Sequence, residues 1–111
     1  MADAFYRVEF GALLPGAPGI VVLENGQVRG SDGNYIYSGT YSGGEGPIEV
    51  LLNVKPIQAD APSVFGTVGQ QFKLNLFGNF VPGGFTLAGS SPVQGGLGVS
   101  IRGTKVSEVG F

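Results

Sequence analysis

Gly98 to Lys105 is the stretch of this chain that comes nearest to a known chemical motif. It reads Gly-Val-Ser-Ile-Arg-Gly-Thr-Lys, a spaced glycine pair followed by a hydroxyl and an ammonium group. A phosphate-binding loop needs lysine before the serine or threonine, and a helix whose N-terminal amides meet the phosphate. Here the order is reversed, and the chain runs only from Val106 to Phe111 afterwards. The segment from Leu97 to Lys105 reads better as a closing strand. Leu97, Val99 and Ile101 then alternate against Gly98, Ser100 and Arg102.

The carboxylates suggest a second chemistry. Glu45 with Glu49, or Asp3 with Glu9, has the residue types of an acid/base pair for glycoside cleavage. That reaction needs two carboxyl groups about 5–9 Å apart across a sugar-sized cleft. Glu49 falls on the polar face of an alternating segment, which puts it in solvent. Serines are plentiful, but with 0 histidines and 0 cysteines a serine nucleophile would need lysine as its base. None of Lys55, Lys73 and Lys105 shares an elbow-type turn with a serine. The same absence removes imidazole and thiolate metal ligands. Asp32, in Ser31-Asp32-Gly33-Asn34, lacks the spaced carboxylates and distal glutamate of a calcium loop, so the tetrapeptide reads as a turn. The expectation is a non-enzymatic protein with no metal and no cofactor.

The elements that would position these residues are strands. The clearest pair is Tyr35 to Ser42 and Ile48 to Lys55, joined by Gly43-Gly44-Glu45-Gly46-Pro47. Tyr35, Tyr37, Gly39 and Tyr41 face one way on the first arm, and Ile48, Val50, Leu52 and Val54 on the second. Before it, Phe5 to Leu13 alternates, with Tyr6, Val8 and Phe10 against Arg7 and Glu9. Pro15-Gly16-Ala17-Pro18-Gly19 breaks that strand. Ile20 to Glu24 and Gln27 to Gly30 flank Asn25-Gly26, the strongest short hairpin signal, because both turn residues tolerate positive φ. After the central pair, Ile57 to Gly69 loses the alternation and reads as a long crossover holding one helical turn at Ser63-Val64-Phe65. Gln71 to Phe80 resumes with Phe72, Leu74, Leu76 and Phe80 on one face. Phe85 to Ser90 returns after Pro82-Gly83-Gly84, and Leu97 to Lys105 closes the set.

Eight strands in simple succession, with almost no helix, predict an all-β, antiparallel, up-and-down barrel in which closure removes the sheet edges. Eight strands enclose just enough space for side chains or one small ligand. Candidate interior residues are Tyr6, Val8, Phe10, Val50, Leu52, Val54, Phe72, Leu74, Leu76, Leu87, Val99 and Ile101. Leu51 and Phe77 interrupt otherwise polar faces and are candidates for a self-association surface.

Composition fits one such domain over residues 1–111. Of 111 residues 21 are glycine, and their irregular spacing suits turns and strand bends rather than collagen or helix. A net charge of −2 offers no basic excess for nucleic acid, and no polybasic run for an anionic membrane. Aromatic residues number 12, but Tyr35, Tyr37 and Tyr41 have no arginine or lysine among them as a base-stacking platform would, so they read as core or cavity wall. Met1-Ala2-Asp3-Ala4 does not begin a secretory signal, and no apolar run approaches a membrane span. The expected compartment is the cytoplasm.

Several segments carry a resemblance. They are Asp3-Ala4-Phe5-Tyr6-Arg7-Val8-Glu9-Phe10, Gly19-Ile20-Val21-Val22-Leu23-Glu24-Asn25-Gly26 and Gly30-Ser31-Asp32. Tyr37-Ser38-Gly39-Thr40-Tyr41 and Ala61-Pro62-Ser63-Val64-Phe65 complete the set. In this order, from about residue 3 to about 105, the chain resembles the GrlR-type negative regulators of bacterial type III secretion gene expression. The resemblance implies a calycin- or lipocalin-like barrel, a homodimer and an apolar interior for a lipid-like molecule. It also implies capture of a regulatory protein by an acidic loop. The matching residues are Gly43, Gly44, Glu45 and Gly46, which keep a single acid where the family carries a run. The alternative reading is a structural or assembly protein that uses sheet edges or apolar surface contacts.

Overall fold

The computed structural model describes residues 3–11, 18–33, 35–43, 46–57, 71–90 and 98–110. They form β1 (Ala4–Gly11), β2 (Gly19–Glu24), β3 (Gln27–Ser31), β4 (Tyr35–Ser42), β5 (Pro47–Pro56), β6 (Phe72–Val81), β7 (Gly84–Ser90) and β8 (Gly98–Glu108). Each strand pairs antiparallel with the next, and β8 pairs back onto β1. The result is a closed up-and-down barrel of eight strands, with no helix among the described residues. Among the described residues no helix is long and apolar enough to cross a membrane. The helical turn expected at residues 63–65 lies outside the described residues.

Alternation decides which side chains fill the barrel. On β5, Ile48, Val50, Leu52 and Val54 are buried while Leu51 and Lys55 are exposed. The same parity buries Tyr6 and Val8 on β1, Leu74 and Leu76 on β6, and Val99 and Ile101 on β8. Pairing preserves the pattern around the wall: Tyr41 opposes Val50, Val50 opposes Leu76, and Leu52 opposes Leu74. One register slip would send these side chains into water, so the apolar face locks the pairing.

Two local features shape the ends. Asn25 and Gly26 have φ of +53° and +78°, as a two-residue hairpin turn with both centres left-handed requires. On β8 the register with β1 jumps from Lys105–Tyr6 to Ser107–Phe5, leaving Val106 as an extra residue, 54% exposed. This bulge resets the strand's parity. Residues three apart in a regular strand face opposite ways, yet here Lys105 Nζ and Glu108 Oε1 meet at 2.5 Å.

The up-and-down order sorts the connections. The turns at 25–26 and 82–83 lie at one end of the barrel, as do the C-terminal end of β4 and the N-terminal end of β5. The C-terminal ends of β1, β3, β5 and β7 share the other. The strands run slightly beyond the sequence reading: Pro56 belongs to β5, and β8 continues past Lys105 through Glu108.

Candidate functional site

The barrel interior holds an apolar cavity of about 40 Å³. Six of the predicted interior residues line it: Val8, Val50, Leu52, Leu76, Leu87 and Ile101. Tyr6, Val54, Leu74 and Val99 are buried in the surrounding core but do not touch the cavity, and Phe72 is partly buried against that core. The side chain of Phe10 lies outside the described residues. The lining that the candidate set left out comes from two groups. Val21, Leu23 and Val28 face inward from the first hairpin. Tyr37, Tyr41, Ile48, Phe80 and Phe85 complete the wall. Their alternation was readable, but which level of an eight-stranded wall surrounds the void depends on strand stagger, which period-two order does not contain.

A chain of aromatic rings closes the short-turn end. Tyr41 meets Phe80 at 6.4 Å and 83°, Phe80 meets Phe85 at 6.5 Å and 89°, and Phe85 meets Tyr6 at 5.0 Å and 61°. All three contacts are edge-to-face, the favoured arrangement of ring quadrupoles. Polar groups sit on the water side of this cap. The Tyr41 hydroxyl donates to Asp3 Oδ1 at 3.0 Å, and the Asn25 amide donates to the same oxygen at 3.3 Å. At the opposite end the Tyr37 hydroxyl donates to Asp32 Oδ2 at 2.5 Å, while Asp32 Oδ1 accepts the Tyr35 amide at 2.9 Å. Each end of the cylinder is thus tied by a tyrosine–aspartate pair. Among the described residues no buried side-chain nitrogen or oxygen lacks a partner.

Burial raises the pKa of Tyr6, Tyr37 and Tyr41 above the ordinary phenol value of 10.0. For Tyr37 and Tyr41 the bonds to Asp32 and Asp3 add to the effect, and for Tyr6 the charges of Asp3 and Glu108 do. Above pH 10 the unfolded phenols release protons that the folded ones retain. The stability they contribute is whole below pH 10 and is lost as pH rises toward the folded values. Each pH unit in that range costs up to about 1.4 kcal/mol per phenol. Thermal melts should therefore be flat up to pH 9 and fall steeply from pH 10 to 11. Tyr37→Phe should soften the alkaline fall while lowering the melting temperature at pH 7, because Asp32 loses a donor. A pH-independent melt would contradict the buried tyrosine–aspartate pairs.

Leu51 and Phe77 lie on the outer face of the wall. Leu51 and Phe77 are 51% and 55% exposed, on neighbouring strands and one diagonal step apart, since Leu51 opposes Asn75 and Phe77 opposes Glu49. Beside Leu51 a surface groove of about 380 Å³ runs over Gly39, Thr40, Asn53, Lys73 and Asn75. Of the loop candidates, Gly43 and Gly46 adopt left-handed φ of +113° and +81°, while Gly44 and Glu45 lie outside the described residues. Gly98 to Lys105 is part of β8, so its glycine-threonine-lysine run has no helix N-terminus to work with. Among the described residues no three or more histidine, cysteine, aspartate or glutamate side chains gather as metal ligands.

Closed up-and-down antiparallel barrels form an architectural class in which one wall encloses an apolar interior and presents a patterned outer surface. The chain belongs to that class by architecture. No family model matches it, and no curated protein matches it.

Proposed function

We propose that the protein is a non-enzymatic binding module of regulatory type, similar in role to the GrlR-type regulators that its sequence resembles. It acts by equilibrium capture and makes or breaks no bond. The observation that carries this reading is the paired exposure of Leu51 and Phe77 on a face that is otherwise hydrogen-bonding and weakly charged. Apolar groups gathered in this way on a closed barrel serve contact rather than packing. The first partner is a second copy of the chain. Glu49 lies at one end of this face and Lys55 and Lys73 at the other. A two-fold axis through Leu51, running across the strands, sets the acid of each copy toward the lysines of its mate. The closed wall gives no described strand a free edge, which favours this face over edge-to-edge assembly.

Sedimentation velocity tests the pairing. The wild type should run as a dimer at micromolar concentration. Leu51→Lys with Phe77→Lys should weaken the association by at least about thirtyfold, as loss of a central apolar anchor does. A monomeric wild type removes the proposal, and long polymers replace it with an assembly role. Capture of a small apolar ligand is the second mode, supported by the interior cavity.

A further inference from the structure

The 6 cations of this chain are not spread evenly over the barrel. Lys105 bonds Glu108, and Arg102 stands opposite Glu9 on the neighbouring strand. Lys55 and Lys73 border the self-association face proposed above. Arg7 on β1 and Arg29 on β3 remain. Both are exposed, and neither forms an ion pair among the described residues. The bond described for Arg29 goes to a neutral group, Gln27 Oε1, at 3.2 Å. Between the two arginines the outer wall is apolar. Arg7 opposes Ile20, Ile20 opposes Ser31, and Ser31 opposes Ile36, while Val22 opposes Arg29. Ile20 and Ile36 are each 47% exposed, and Val22 is half-buried. The described acids around this strip face other groups: Glu9 opposes Arg102, Glu24 opposes Gln27, and Asp32 accepts from the Tyr37 hydroxyl and the Tyr35 amide.

We infer that this strip on β1 to β4 binds an extended acidic segment of a partner protein, with the pattern acid-x-aliphatic-x-acid. The inference goes beyond self-association and leaves the outer faces of β5 and β6 to it. The strip has the composition of a protein interface: arginine at its edges, branched aliphatic groups in the middle, and no lysine or carboxylate between them. Its charge selects carboxylates, which meet a planar guanidinium through two parallel hydrogen bonds. Spacing sets the pattern. β1 and β3 are two strand spacings apart, and Arg29 lies one same-face step from the level of Arg7, so the two arginines stand roughly 12 Å apart along the wall. In an extended chain, residues four apart point the same way and lie about 13 Å apart. Acids at those two positions reach the two arginines, and the residue midway rests over Ile20 and Val22. Two cations on a protein of net charge −2 are too few to hold a nucleic-acid strand or an anionic bilayer.

Titration of the ¹⁵N-labelled full chain with the end-blocked peptide Gly-Glu-Ser-Leu-Ser-Glu-Gly, followed by amide shifts, tests the site. Saturable shifts are expected at Arg7, Ile20, Val22, Arg29 and Ile36. Replacing both glutamates of the peptide with glutamine should weaken binding about tenfold, since each exposed ion pair contributes only a small factor. The double variant Arg7→Gln with Arg29→Gln should weaken the glutamate peptide by the same factor and leave the glutamine peptide unchanged. A peptide whose acids lie two residues apart should bind no better than the glutamine one. Ile20→Ser should weaken both seven-residue peptides equally. These positions are on the surface, so the variants should melt as the wild type does. Equal affinity for the glutamate and glutamine peptides, indifference to acid spacing, or shifts gathered on β5 and β6 would each overturn the site. Tighter binding of oligothymidylate or of phosphatidylglycerol vesicles to the same strip would overturn it in favour of phosphate recognition. Absence of saturable shifts below about 1 mM peptide would remove the acidic partner. It would leave self-association standing, because sedimentation reads that face separately.

Discussion

Leu76→Ala should lower the unfolding free energy by about 4 kcal/mol, toward the upper end of the range for a buried leucine. Leu76 is 0% exposed and lines the existing cavity. Truncation removes the transfer energy of the lost methyl and methylene groups and enlarges a void that is already present. Cavity cost depends on how far the surroundings collapse, and a wall of eight strands hydrogen-bonded on both sides collapses little. On a domain of this size the midpoint of thermal unfolding should fall by roughly 15–25 °C. Phe77→Ala, one residue away on the outer face at 55% exposure, should leave the midpoint of the dissociated protein almost unchanged. Equal effects of the two truncations would mean that the barrel's inner and outer faces are wrongly assigned.

Gly39→Ala should cost about 3 kcal/mol, although it adds only a methyl group to a strand. Gly39 opposes Leu52 across β4 and β5, and a Cβ built on it would overlap the carbonyl oxygen of Leu51. The obstacle is backbone, so no side-chain rotation relieves it and the strand pair must separate locally. Glycines at such close approaches are what lets a sheet coil tightly enough to close. Gly103 provides the contrast, because there the ring of Phe85 occupies the place of the missing side chain. Gly103→Ala should therefore be rescued in part by Phe85→Leu, while no single side-chain change should rescue Gly39→Ala. Denaturant unfolding of the four variants in a double-mutant cycle separates the two cases. A Gly39→Ala protein as stable as the wild type would show that closure does not depend on that approach.

Much of this was legible from residue order, and the reasons are particular. Ile48, Val50, Leu52 and Val54 alternate without a fault, so β5 and its apolar face could be read directly. Asn25-Gly26 announced its turn because few other dipeptides accept two left-handed residues. Leu51 and Phe77 were visible as apolar intrusions on polar faces, and both are exposed. The bulge at Val106 was not legible. Nothing in Lys105-Val106-Ser107-Glu108 marks an extra residue, which exists only relative to Phe5 and Tyr6 on a strand about a hundred positions away. The aromatic cap was hidden for the same reason: Tyr6, Tyr41, Phe80 and Phe85 come from four strands and meet only after closure.

Residue order by itself determined that this chain makes eight strands, which side chains share a face, and that no histidine or cysteine chemistry is available. Those are local properties, fixed by a two-residue period and by the conformations that glycine, proline and asparagine allow. Tertiary structure alone decided how large the cavity is, that Arg7 and Arg29 bracket a shared apolar strip, and that Lys105 pairs with Glu108 beside Tyr6. These depend on stagger and closure, which set the height at which each strand meets its neighbours and are written in no single segment.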